Sequence, residues 1–402
     1  MGRLPIVESK SLRQLIERVV HSDPAVAGPA ALELFRDVVE PLSDSFDPYA
    51  WTQYVDVFVP IIAALLPGHS ETALRERYQR VRHSRPFSGE PSTIRDVFVL
   101  SRVTLGADIA VTSVMLDAAR KRFPRAVIHF AGGHKGWELF ENGPRLRHLP
   151  VPYPRGGTLR DKLAVGETLR AALARPDCVV IDPDSRLTQL GLVPVCREEN
   201  YYFFESRSYG SYENHPLPEL ARRWAAEVFG IDDAAPFIAP TPCEDTPAIT
   251  VSLGVGENLN KRVPDPFEED LVRHLAGLGV DLLIDLGAGG EEAGRVQRAI
   301  ARSGAPPGRI RTWDGAFAPF AARIARSRLY VGYDSAGQHA AAASGVPLVT
   351  VFAGYVTDRM FHRWHPAGPG PIEVVRVERP DPARVIEQTV AAVSRVSGML
   401  RG

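Results

Sequence analysis

The residues best suited to chemistry in this 402-residue chain lie near its C-terminus, in LYVGYDSAGQHAAAASGVPLVTVFAGY, Leu329 to Tyr355. Leu329 to Tyr333 reads as a strand, Asp334-Ser335 suits a helix N-cap, Gly337 to Ser344 is alanine-rich, Gly345 suits a C-cap, and Val346 to Phe352 is β-branched. The segment predicts one βαβ unit with a very short helix. A helix opening at Asp334-Ser335-Ala336-Gly337 directs free backbone N–H groups and the positive end of its dipole outward, and its small residues let a ligand come close. The chemistry on offer is phosphate binding. On these residues alone, Asp334 and Ser335 serve equally well as caps, and His339 as a packed side chain.

Other stretches could also do chemistry. Asp182-Pro183-Asp184 ends an apolar run; two acids at this spacing can hold a divalent cation, but proline between them also makes an ordinary turn, which is the reading expected here. Gly254 and Gly256 precede Lys261, and Gly287-Ala288-Gly289-Gly290 precedes Glu291-Glu292. Such glycines let backbone approach a phosphate or simply turn the chain, and acids in a first helical turn stabilise its dipole. No G-x-G-x-x-G follows a strand with an acid about twenty residues on, so a dinucleotide-dependent oxidoreductase ranks low.

The elements that must position these residues alternate. Residues 8 to about 85 predict helices, among them SKSLRQLIERVV and PAALELFRDVVEPL with apolar residues at three-to-four spacing. They carry no evident chemistry, and packing, a homodimer contact and the shaping of an acceptor pocket are the roles open to them. From Ile94 strands and helices alternate, the mark of a parallel sheet: strands at Val97 to Ser101, Ala126 to Phe130 and Cys178 to Ile181, with a helix from Ile109 to Phe123. The aromatic stretch Asn200 to Pro216 has no clear period and is expected to line a cleft, and Ala234 to Pro247 reads as a linker. A second alternating unit comes next, with strands at Ala248 to Leu253 and Val280 to Leu286. Ligands of such sheets sit outside the carboxyl ends of the strands, so the crevice between the two units is the expected site.

Composition excludes several classes. A net charge of -1 supplies no general field for nucleic acid or an anionic membrane. Three widely spaced cysteines, Cys178, Cys196 and Cys243, imply neither a disulfide framework nor a zinc site and fit a reducing cytoplasm. The apolar run around Val55 to Pro67 is too short to span a bilayer, so no transmembrane segment is expected. Five lysines stand in a chain that otherwise uses arginine, and Lys261 is the only one after Lys162.

Three motifs, in order, resemble the heptosyltransferase family. LGADIAVTSVMLDAARKRFP, Leu105 to Pro124, is similar to that family's L-G-D, apolar helix and R-R-F-P, with Ala107 as one extra residue. NKRVP, Asn260 to Pro264, resembles K-x-W-P with Val263 in place of tryptophan, and YDSAGQHAAAASGVPLVTVFAG resembles D-T-G-L-S-H-x-A-A-A-x-G-x-P-x-V-x-x-F-G-P-T. The departures are Ser335-Ala336-Gly337-Gln338 for T-G-L-S and Ala353-Gly354-Tyr355 for G-P-T.

This resemblance implies an α/β chain of GT-B fold: two facing Rossmann-like, doubly wound domains with an N-terminal helical extension. The expected boundaries are 1–92 for the extension, 93–240 for the acceptor domain, 246–378 for the nucleotide-sugar domain, and 379–402 for a last helix packing back on the N-terminal domain. It further implies an inverting, metal-independent glycosyltransferase that takes a sugar, typically heptose, from a donor such as ADP-heptose, with no cofactor. Asp108 would be the base and Lys261 the phosphate-binding lysine, helped by Arg262. Ser335, Ala336, Gly337 and Gln338 would meet the diphosphate, while Asp334 and His339 orient the loop or the sugar. Gly254, Gly256, Gly287, Gly289, Glu291 and Glu292 would lie by the nucleotide, and Gly106, Ala107, Arg186 and Tyr209 on the acceptor side. The extra helices and GC-rich-type composition point to a soluble, natural-product acceptor rather than a lipopolysaccharide core. A non-catalytic GT-B-like binding or scaffold protein is the alternative, motivated by the altered loop residues.

Overall fold

The computed structural model describes residues 10–399 except Arg155, Glu257 and Ala288. The start of the predicted extension, Ala288 of the glycine turn, Glu257 and the last three residues lie outside the described residues. Two parallel sheets carry the chain. The first comprises β1 (Asp96–Leu100), β2 (Val127–Gly132), β3 (Leu146–Pro150), β4 (Cys178–Asp182) and β5 (Tyr201–Phe203), in the order β3-β2-β1-β4-β5. The second comprises β6 (Ile249–Ser252), β7 (Leu282–Asp285), β8 (Ile310–Trp313), β9 (Leu329–Tyr333), β10 (Leu348–Phe352) and β11 (Ile372–Arg376), in the order β11-β10-β9-β6-β7-β8. Each sheet reverses its winding between its first and fourth strands, β1/β4 and β6/β9, which opens a crevice at their carboxyl ends.

Strand alternation decides what each face covers. Val97 and Val99 of β1 join Val179 and Ile181 of β4 against the helical segments that follow β1 and the helix Leu217–Phe229. Phe98 and Leu100 face the other way, into a cluster with Leu34, Phe58 and Ile62. The N-terminal helices are therefore a layer of the first domain, covering one face of its sheet. Trp51, Tyr54 and Phe58 stack along the helix Pro48–Leu65, with successive ring centroids 4.4 Å apart.

Two expectations need correction. The aromatic stretch begins as β5, whose Tyr201 and Phe203 are buried, because two aromatic residues on one face of a three-residue strand fill the space beside β4. Short strands of this kind, like β3, β8 and β11, lack the apolar run that marks the central ones. The last helix, Pro382–Met399, does not cross to the first domain: Val385, Val393 and Val396 pack with Leu271 and Leu275 of the helix Phe267–Gly277 and with β10 and β11. Its apolar stripe is used up on the second sheet. Among the described residues no helix is long and apolar enough to cross a membrane.

Candidate active site

The loops leaving β6 and β9 meet at the crevice of the second sheet. After β6 the chain makes a single 3-10 turn, Leu259–Lys261, started by Asn258, whose side chain accepts from Asn260 N. Gly354, after β10, holds this turn in place. Its φ is +68°, and a Cβ there would stand 2.4 Å from Asn260 O and 2.8 Å from Lys261 N, so only glycine allows the two loops to touch. Lys261 Nζ then reaches Asp334 Oδ2 at 2.7 Å.

That ion pair accounts for a carboxylate at the N-terminus of the helix that follows β9. Asp334 is 5 % exposed, and its other oxygen accepts from the Gln338 amide, whose Oε1 in turn accepts from Thr350 Oγ1 at 2.8 Å. Its charge is compensated and its geometry fixed, so it orients the loop, while the Lys261 side chain remains 22 % exposed. Ser335 caps the helix Ala336–Ala343, its Oγ accepting from Gly337 N, and Ser335 and Ala336 are half-buried at the crevice. Gly337 and Gln338 are packed inside instead: a Cβ on Gly337 would meet the Tyr330 hydroxyl at 2.2 Å. His339 is buried, and burial pushes its pKa down to about 4, so the ring is neutral at pH 7.

Several expected nucleotide contacts are committed within the protein. Glu292 folds back so that Oε1 accepts from Val255 N; a Cβ on Gly254 or Gly287 would collide with its carboxylate at 2.8 and 2.5 Å. Those glycines make room for Glu292. Gly256, Gly289 and Gly290 all have positive φ and turn the chain. Arg262 donates to Glu268 at 2.9 Å and to Asp265, and Arg295 takes the second Glu268 oxygen at 2.8 Å, so Arg262 braces the loop instead of facing the crevice. Glu291 is exposed, in a groove shared with Leu259 and Arg298. Sequence reasoning passed over Asp285, at the end of β7, whose carboxyl burial raises to about 6.

On the facing domain the helix after β1 is irregular. Leu105–Ala107 forms a single turn, Asp108–Thr112 is π-helical, and Ser113–Arg122 is α-helical. Ser113 N bonds Asp108 O across five residues, a widening that absorbs one extra residue without disturbing the register of the α-helix beyond it. Ala107 immediately precedes this widened turn. Gly106 approaches the other domain, where a Cβ would stand 3.4 Å from His339 Cδ2 and 3.5 Å from Ala336 Cα.

Asp108 does not project into the cleft. It is 1 % exposed and accepts from Ser101 Oγ at 2.7 Å, Arg102 N at 2.7 Å and Thr112 Oγ1 at 2.8 Å. Burial raises its pKa to about 6 despite these donors. It is a bracket for the loop after β1. Tyr209 is also directed elsewhere, its hydroxyl donating to Glu227 at 3.0 Å. Asp182-Pro183-Asp184 is more than a turn: Asp182 accepts from Ser185 N, Thr188 Oγ1 and Tyr201 Oη, and Asp184, at φ +69°, pairs with Arg207 at 2.5 Å. Among the described residues no group of three His, Cys, Asp or Glu side chains could hold a metal.

The extension completes the junction. Phe46 lies edge-on to Trp364, with centroids 6.1 Å apart, and its carbonyl accepts from Arg359 Nη1 at 3.1 Å. Arg363, wholly buried, donates to the carbonyls of Tyr209, Ser211 and His215. Trp364 O accepts from Gln338, and Arg102 lies over the Trp364 ring. One tryptophan therefore touches the extension and both sheet domains. No signal in the sequence marked it.

Two facing parallel sheets, each with its crevice toward the other and joined at Gly106 and Ala336, decide the architecture. The chain has the GT-B fold. Solved structures agree on this. E. coli heptosyltransferase WaaC with ADP matches at 16 % identity and a TM-score of 0.55, over 76 % of this chain and 99 % of that one. The same enzyme with ADP-2-deoxy-2-fluoro heptose matches at 17 % and 0.54 over the same shares. A family 9 glycosyl transferase from Veillonella parvula matches at 17 % and 0.52, over 70 % of this chain and 86 % of that one. No family model and no curated protein matches the chain. The likeness agrees, at the level of fold, with the resemblance carried by the three motifs.

Proposed function

We propose that this GT-B chain is a glycosyltransferase that binds a nucleotide-diphospho sugar at the β6/β9 crevice and transfers the sugar, a heptose by resemblance, to a hydroxyl of a soluble acceptor. The observation that carries this reading is Lys261 held 2.7 Å from Asp334 beside the N-terminus of the Ala336–Ala343 helix. Lys261 Nζ and the N–H groups at Ser335 and Ala336 give a diphosphate a cation and a dipole end, which favour the leaving group as the glycosidic C–O bond breaks. Displacement by the acceptor oxygen from the opposite side inverts the anomeric centre. This grip needs neither a metal nor a cofactor, and the donor is a substrate. Isothermal titration with ADP, UDP, GDP and ADP-heptose tests it: binding of at least one, weakened in Lys261→Ala, is expected, and no binding by any of them removes the reading.

The saturated, buried Asp108 favours a second reading, a nucleotide-sugar-binding protein without turnover. Binding of ADP-heptose with no ADP released from it, whatever alcohol is supplied, would select that reading.

A further inference from the structure

Where the extension meets the carboxyl ends of β1 and β4, several buried polar atoms lack partners. Among the described residues, Ser43 Oγ, Asp184 Oδ1, Gln189 Oε1 and Arg207 Nε meet no hydrogen-bond partner, although each of these residues is less than a tenth exposed. An unpaired buried polar atom costs about 1–3 kcal/mol, so such atoms mark places where a ligand hydroxyl or a water would be held. Asp184, Gln189 and Arg207 share surroundings, with Arg207 Nη1 donating to Asp184 Oδ2. Tyr54 lies in the fields of Arg186, Arg207, Tyr153 and Asp184, and Gln189 Nε2 donates to Tyr153 Oη at 3.3 Å. Asp184 and Gln189 are held at positive φ, as is Phe46 on the extension, and such strain collects where a site is shaped.

Asp44 ends the short helix Glu40–Asp44 of the extension, next to Ser43. It is half-buried, and its carboxylate makes no hydrogen bond or ion pair among the described residues. Its charge interacts with those of Arg207 and Arg186 on the first domain and of Lys261 on the second. The next residues pin it to the far domain: Ser45 O accepts from Thr357 Oγ1 and Phe46 O from Arg359. The guanidinium of Arg186, 5.2 Å over the Phe35 ring, likewise makes no hydrogen bond or ion pair among the described residues.

We propose that the N-terminal extension completes the acceptor site, with Asp44 as the base for a polyhydroxylated acceptor. This rests on the transferase reading above. The acceptor O–H proton passes to the Asp44 carboxylate as that oxygen bonds the anomeric carbon. The bond from that carbon to the diphosphate oxygen breaks, and its electron pair leaves with the nucleoside diphosphate toward Lys261. Three of the four unpartnered atoms are oxygens that accept hydrogen bonds, which selects an acceptor rich in hydroxyl donors.

The test measures ADP release from ADP-heptose by the full chain with glycerol or 1-propanol as alcohol, beside ADP affinity by calorimetry. Asp44→Asn should lower the rate about 100-fold or more with ADP affinity within about threefold, while Asp108→Asn stays within about tenfold of wild type. Sodium formate should partly restore Asp44→Ala, a rescue that a merely structural residue would not show. Glycerol should be used at least about tenfold faster than 1-propanol. Asp44→Asn retaining a third of the rate, or equal use of the two alcohols, overturns this inference and leaves the transferase reading standing. Wild-type protein that binds ADP yet releases none from ADP-heptose overturns both.

Discussion

Lys261 and Asp334, seventy-three residues apart, form an ion pair at 2.7 Å because their loops leave the neighbouring parallel strands β6 and β9. The pair pre-positions a cation at the crevice. Lys261→Ala removes it and leaves a buried carboxylate uncompensated. Nucleoside-diphosphate affinity should fall about 10- to 100-fold, with a stability loss on the order of 1–3 kcal/mol. Titration calorimetry and urea unfolding measure the two effects separately.

Gly354 sets where that lysine stands. Gly354→Ala puts a methyl into Asn260 O at a left-handed backbone position, so the Leu259–Lys261 turn must shift. The expected outcome is a loss of donor affinity approaching that of Lys261→Ala, although the substituted residue carries no charge. Unchanged affinity by calorimetry would show that the turn yields without cost.

Asp108 is predicted to matter for folding rather than turnover. In Asp108→Asn an amide N–H₂ replaces one carboxylate oxygen: turned toward Arg102 and Thr112 it opposes the Arg102 N–H, and turned toward Ser101 it ends the charge-assisted bond from that hydroxyl. Thermal unfolding should shift down by the equivalent of about 1–3 kcal/mol, with nucleotide affinity unchanged. A melting curve that does not move contradicts the bracket role.

His339 gives the domain junction a pH dependence of known sign. Its folded pKa, about 4, lies below the ordinary value of 6.5, so the unfolded chain binds the proton more tightly. The stability it contributes is present above pH 6.5 and is lost as pH falls toward 4, on the order of 2 kcal/mol by pH 5. Asp108 has the opposite sign: its raised pKa makes stability fall as pH rises from 3.8 through about 6. Comparing wild type with His339→Gln isolates the histidine, and the variant should lose less stability between pH 7 and 5. Parallel curves would refute the assignment.

The second sheet was legible in the sequence because its site is local. Strand, cap, small residues and strand lie within Leu329 to Tyr355, and the single lysine of Asn260 to Pro264 stands out in an arginine-using chain; both fall where their motifs place them. The first domain was only half legible. Leu105 to Pro124 announced a strand-to-helix turn, but the π-helical turn at Asp108 and the bonds from Ser101, Arg102 and Thr112 that bury its carboxylate leave no trace in periodicity. Tertiary structure alone decided the rest. The last helix chose the second sheet, Glu292 explained two glycines, and Ser45 and Phe46 of the extension met Thr357 and Arg359 of the second domain. Local conformation is set by propensity, capping and apolar spacing, all of which a sequence carries on its face. Which side chains meet across hundreds of residues depends on which faces the two sheets leave to be covered, and that is settled only when they pack.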